Sequence, residues 1–257
     1  MPIRFPYAQS ASRTLRISGY LAILFLVAVV YELAGRVGLW LAPSQQVVSP
    51  VWPPAGIGLA ALLLFGYRVW PSIFIGALVI DLWSGKLTLL PSVLIAMGCT
   101  LGAVTSVHIL RRKVGTRFPL ERSRDLVAFV IAAISGSMIS AFIGTASLSV
   151  THQKTWATIP DLWFTWWMAD TSGVLLVTPF VLSWLTIPRQ WGVKRYGSLF
   201  GFVLVSLLLT LFFFGEVVIG PLSFSRDSSF SFLVTPILIW GALSFGVRGA
   251  STAALFI

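Results

Sequence analysis

Asp170 stands inside DLWFTWWMADTSGVLLVTPF, residues 161–180, a stretch too apolar for a solvated helix. A carboxylate in such a run needs a partner or a wet cavity, because an isolated charge in hydrocarbon is expensive. Trp163, Trp166 and Trp167 precede it at three- and four-residue spacings, which puts the four on one broad helix face. A carboxylate beside aromatic rings can hold a cation or an amine through its charge and the ring quadrupole. Asp81 lies near the end of another apolar run and carries the same requirement, whereas Glu32 and Asp161 sit at run ends where reaching water is enough. Trp52 falls near the same boundary as these tryptophans. Trp52, Asp81, Trp163, Trp166, Trp167 and Asp170 are therefore expected to form a pocket for a small ligand, in the outer half of a membrane or in its core. The alternative for the tryptophans is anchoring in an aromatic belt at the membrane surface.

Other chemistries lack their residues. There is no glycine loop for phosphate, no nucleophile elbow, and no His or Cys cluster at metal spacing. His108 and His152 fall in segments assigned to opposite membrane sides, and the single cysteine, Cys99, cannot form an internal disulfide. No catalytic residue, metal site or cofactor is expected in this segment.

The elements that position these residues follow from composition. Of 257 residues, 57% are hydrophobic and 10% charged, with a mean hydropathy of +0.91. Soluble domains carry roughly a quarter charged residues, so the chain is expected to be an all-α, polytopic transmembrane bundle, with the lipid bilayer as its first partner. With roughly 20 apolar residues per crossing, spans fall near 15–34, 53–67, 70–84, 90–110, 126–149, 161–186, 197–218 and 231–245. A ninth starts at Gly249 and breaks off at Ile257. The net charge of +10 resolves into topology. Only Arg36, Lys86, Lys154 and Arg226 of the eighteen basic residues lie in loops opposite the N-terminus; the others, including Arg68 and Arg248, follow the positive-inside pattern for a cytoplasmic N-terminus in a bacterial inner membrane. This explains the charge without a nucleic-acid partner. Residues 1–14 are then a cytoplasmic tail and 15–257 the membrane domain. The interrupted ninth run leads to the expectation of a longer chain with a cytoplasmic domain beyond it.

Packing signals complete the reading. Gly98, Gly102 and Ser106 recur every four residues, as do Gly136, Ser140 and Gly144, and such stripes let helices approach closely, within the chain or in a homodimer. Pro179 and Pro236 each follow a Thr and are expected to kink their helices, with the Thr hydroxyl serving a freed carbonyl. Pro54 to Arg68 and Pro236 to Arg248 share a Pro, an apolar run with Gly-Ala or Ala-Gly, then Gly-x-Arg, by duplication or by chance. Pro53 and Pro54, framed by Trp52 and Trp70, are expected to start a short hairpin abruptly at the outer surface.

The stretch VWPPAGIGLAALLLFGYRVWPSIFIGAL resembles the signature hairpin of the bacterial membrane-associated sensor domain, MASE type one. WWMADTSGVLLVTPF resembles that family's Trp-rich aspartate helix, FLVTPILIWGALSFGVRGA its late hairpin, and residues 111–124 its basic loop. The resemblance implies a multi-span sensory module controlling a cytoplasmic output, a histidine kinase of a two-component system or a diguanylate cyclase making cyclic di-GMP. It also implies a functional face containing Trp52, Pro53, Pro54, Gly56, Trp70, Pro71, Asp170, Gly173 and Pro179, with the 53–71 hairpin, Arg68 and Pro236 as moving parts. The segment itself is then no enzyme. A small-molecule transporter and a scaffold that dimerises its output are the alternatives.

Overall fold

Pro53 and Pro54 occupy the first two positions of a helix that Gly66 closes. That order follows from backbone chemistry: proline is tolerated where the helix has no amide to satisfy, and Gly66 turns the chain at φ +85°, ψ 178°, a region essentially reserved for glycine. The computed structural model describes residues 13–41, 51–85, 87–114, 123–186, 193–214 and 234–256. The N-terminal residues 1–12, most of the basic loop and 215–233 lie outside them, so the expectations placed there are not taken up again. The described helices are α1 (Arg13–Leu41), α2 (Pro53–Phe65), α3 (Trp70–Ser84), α4 (Leu89–Lys113), α5 (Ser123–Val150), α6 (Ile159–Thr186), α7 (Val193–Phe214) and α8 (Val234–Phe256), with single 3-10 turns at Tyr67–Val69 and Trp156–Thr158.

All described regular structure is helical, as the composition required. The expectation of eight full spans and a ninth holds only in coarser form. Among the described residues, five stretches are long and apolar enough to cross a membrane: Ile17–Trp40, Leu89–Lys113, Ser123–Val150, Trp156–Leu185 and Thr235–Leu255. At 13 and 15 residues, α2 and α3 extend only about 20 Å, short of a hydrocarbon core of about 30 Å. Helix α1 runs further than the expected 15–34, to Leu41, and in the added turns Arg36 pairs with Glu32 and lies 4.7 Å over the Trp83 ring. Backbone contacts divide the chain into two units, Met1–Thr178 and Pro179–Ile257.

In the first unit α2 is the centre. Pro54, Gly56 and the run Gly58–Leu62 are all buried. Leu59 and Leu62 pack in one core with Val27 and Tyr31 of α1, Ile73 of α3 and Val107 of α4. The two small-residue stripes face one another: a Cβ on Gly102 would lie 2.6 Å from the Gly136 carbonyl, and the Ser106 hydroxyl donates to the Ala132 carbonyl at 2.8 Å. Gly144 is the exception, covered by the Trp166 ring. Both stripes are thus taken up inside the chain, and a homodimer would need another surface. One end of this unit gathers basic groups. Arg111 donates to the Leu62 carbonyl at 3.0 Å and lies 4.7 Å over the Tyr67 ring, while the Tyr20 hydroxyl donates to the Arg68 carbonyl at 2.8 Å.

In the second unit α8 is interrupted at Gly246, φ 63° and ψ −145°. A Cβ on Gly241 would lie 3.0 Å from the Gly249 carbonyl oxygen. Residues eight apart along a continuous helix are about 12 Å apart, so the chain doubles back and its limbs meet glycine on glycine. The break falls between the run expected at 231–245 and the one expected from Gly249, but two separate spans do not follow from it: neither limb alone is long enough to cross, and only the whole stretch Thr235–Leu255 has the length and composition of a span. Phe202 of α7 packs against this turn, 5.5 Å from Phe245 and 4.8 Å from Trp240 between ring centres. Gly66 and Gly246 each stand two residues before an arginine in a similar rare backbone conformation, so the shared sequence pattern is also a shared local geometry.

Arg248 is not the solvated topological charge that its sequence position implied. It is 2% exposed, donates from Nε to the Ser183 carbonyl at 3.1 Å and lies 5.6 Å from the Trp184 ring centre. Ser183 and Ser251 hydroxyls are 3.1 Å apart, and the Trp184 indole donates to Thr252 at 3.1 Å.

Candidate functional site

The start of α2 is built onto α6 through backbone. The Trp52 amide donates to the Ala169 carbonyl at 2.9 Å, and the Trp52 carbonyl accepts from the Ala55 amide at 3.2 Å. The same Trp52 carbonyl rests on Gly173, where a Cβ would collide with it and would lie 2.6 Å from its carbon. One turn on, a Cβ on Gly56 would collide with the Gly173 carbonyl, and the Thr178 hydroxyl donates to the Gly56 carbonyl at 3.0 Å. Thr178 therefore serves α2, not the carbonyl that Pro179 leaves free in its own helix.

This joint corrects the expected position of the double proline. Ala169 lies ten residues beyond Ile159, about 15 Å into α6 at 1.5 Å per residue. Helix α2 begins at that depth instead of at the rim of the bundle. A helix start normally leaves amides without intrahelical partners. In a dry interior those amides would be costly, and Pro53 and Pro54 remove two of them at the first two positions. That is the physical reason for the pair.

Asp170 lies next to the joint. It is 3% exposed, with the Ser140 hydroxyl and the Trp166 indole as hydrogen-bonding neighbours, yet its Oδ1 atom has no hydrogen-bond partner. Beside it is a cavity of about 20 Å³, bounded among others by Tyr31, Trp52, Pro54, Cys99, Ser140 and Asp170. That volume holds about one water-sized species. Gly58, Gly102 and Gly136 also line it, and their missing side chains leave the space open. Polar groups run through the interior as a chain: Tyr31 neighbours Cys99, the Ser140 hydroxyl donates to the Cys99 sulfur at 3.8 Å, and Ser140 neighbours Asp170. Four helices, α1, α4, α5 and α6, each contribute one member.

The expected pocket is thus only partly assembled. Trp52 and Asp170 line one cavity and Trp166 touches Asp170, but Trp163 and Trp167 stack on each other at 5.6 Å and 14°. The Trp167 indole donates to the Ile134 carbonyl at 3.2 Å. Trp167 thus belongs to packing between α6 and α5, with Trp163 stacked on it, and the single face expected from spacing is divided between two tasks. Asp81 does not line the cavity; its Oδ2 is buried and has no hydrogen-bond partner. Of the residues assigned to the hairpin, Pro54, Gly56 and Gly173 are buried at the joint, Pro53 opens α2 half-buried, and Arg68 and Trp70 are exposed. Pro71 and Pro179 are half-buried and Pro236 is exposed.

Sequence reasoning passed over Tyr31, Cys99 and Ser140. Ser140 stands in a stripe of small residues, whose ordinary role is close helix packing, so only its neighbours Cys99 and Asp170 in the fold mark it out.

Among known proteins, the MASE1 family model matches residues 22–257. No curated protein and no solved structure matches the chain.

Proposed function

The chain belongs to the MASE1 family of membrane-associated sensory domains, and from that premise we propose that it is the input domain of a bacterial signal-transduction protein that receives its stimulus at Asp170. Its membrane is the bacterial inner membrane, its N-terminus is cytoplasmic, and its reply goes to a cytoplasmic output, a diguanylate cyclase or a histidine kinase. One observation carries the reading: a buried carboxyl oxygen without a donor faces a cavity beside the backbone joint between α2 and α6. Supplying or withdrawing a donor there changes the free energy of one helix arrangement relative to another. A differential of a few kcal/mol is enough to move a two-state equilibrium from one side to the other.

The test uses the full-length gene product in its own cells. Asp170→Asn is expected to hold output at one extreme, about tenfold from the wild-type mean, with the response to stimulus lost. Asp161→Asn, at an exposed position, is expected to behave as wild type. Unchanged basal output and response in Asp170→Asn, at equal protein level, would reject the reading.

A carrier is the second reading, favoured by one feature: a helix that begins part-way along its neighbour, next to a buried carboxylate, is how transporters present helix ends to bound ions. Radiotracer uptake into vesicles containing the protein separates the two.

A further inference from the structure

We infer that the cavity beside Asp170 is a binding site for a single small monovalent cation of about the size of a water molecule, such as sodium or ammonium. The inference rests on the sensory reading of Asp170 and names the class of ligand that this residue would take.

Charge, donor supply and size each point the same way. Asp170 brings a carboxylate into a lining that contains no Lys, Arg or His. The nearest helix start does not compensate it through its first amides: two are absent at Pro53 and Pro54, and the Ala55 amide is turned to the Trp52 carbonyl. The Trp52 amide is likewise used, on Ala169. What remains is a surplus of oxygen. Oδ1 of Asp170 has no partner, and the hydroxyl of Ser140, whose one proton is shared between the Cys99 sulfur and the Asp170 carboxylate as acceptors, keeps its lone pairs. Tyr31 and Ser137 line the same space, and Trp52 adds an aromatic side chain, a class of group that attracts cations.

A cavity of about 20 Å³ excludes organic ligands and choline-sized cations. A divalent ion is excluded by ligand number and charge, since magnesium and calcium take six or more oxygens and the lining offers one carboxylate. Anions are excluded by Asp170 itself. Cation binding would draw α1, α5 and α6 together around the start of α2, which is the coupling that a sensor of ionic conditions needs.

The experiment measures the unfolding midpoint of the full-length protein in lipid nanodiscs by tryptophan fluorescence, in sodium, ammonium or choline chloride at equal ionic strength and pH 8. Sodium or ammonium is expected to raise the midpoint by about 5 °C over choline at saturation, with a saturable concentration dependence. Asp170→Asn is expected to abolish that gain and Asp161→Asn to keep it. Coincident wild-type midpoints in all three salts would overturn the inference, and this comparison does not depend on any variant folding. If they coincide while Asp170→Asn still alters output, the cation falls and the sensory reading stands; if output is also unaltered, both fall.

Discussion

Replacing Gly173 with alanine is expected to lower the stability of the chain by about 3 kcal/mol or more, at the upper end of what overpacking costs. The reason is what the new methyl group would meet. A Cβ there collides with the Trp52 carbonyl oxygen and lies 2.6 Å from its carbon and 3.3 Å from its nitrogen. None of these is the far end of a flexible side chain. Trp52 is held in place by its own hydrogen bond to Ala169, and Gly56 closes on Gly173 one turn later, so the backbone has no direction in which to yield. Gly201→Ala supplies the contrast. Nothing lies within 4 Å of a Cβ at that position in α7, and alanine there is expected to stabilise by up to about 1 kcal/mol through helix propensity. Thermal unfolding midpoints of the two variants should move in opposite directions. A Gly173→Ala protein as stable as wild type would mean that α2 does not start against α6 at this level.

Asp170→Asn is expected to raise the unfolding midpoint when no small cation is present, as in choline chloride. A buried polar atom left without a partner costs about 1–3 kcal/mol, and more when it is charged. Asn keeps the shape and one acceptor for Trp166 and Ser140 while removing the charge that the cavity leaves uncompensated. A recovery of about 1–2 kcal/mol corresponds to a rise of roughly 3–6 °C for a chain of this size. Such a gain, with sensing lost, is the trade expected where a strained group is retained for function. A lowered midpoint in choline would show that the carboxylate is satisfied in the folded chain and stabilises it.

The difference between what was legible in the sequence and what was not has physical causes. Apolar runs are written in single residues, so the helices and most boundaries could be read directly; α3 spans the expected 70–84 without change. The stripes of α4 and α5 were legible because close approach requires small residues, and the two do face each other. Asp170 stood out because a carboxylate in an apolar run violates the pattern around it. Depth, by contrast, is a tertiary property. Nothing local distinguishes a double proline at the rim of a helix bundle from one about fifteen ångströms along its neighbouring helix, and the Trp52 to Ala169 hydrogen bond joins residues 117 positions apart, 169 minus 52. For the same reason Trp163 and Trp167 were grouped with Trp166: helical spacing gives the face, whereas the neighbouring helix decides which ring turns inward. Arg248 shows the limit of charge counting, since its position obeys the topology rule while its side chain is buried against Ser183 and Trp184.

An experimental density map of the full-length protein in lipid nanodiscs, at side-chain detail and in sodium chloride, tests the central claim most directly. It should show α2 beginning level with Ala169, the Trp52 carbonyl seated on Gly173, and the Asp170 carboxyl turned inward with one water-sized feature beside Oδ1. A map in which α2 starts level with the beginning of α6, or in which Asp170 faces lipid headgroups or bulk water, would contradict it.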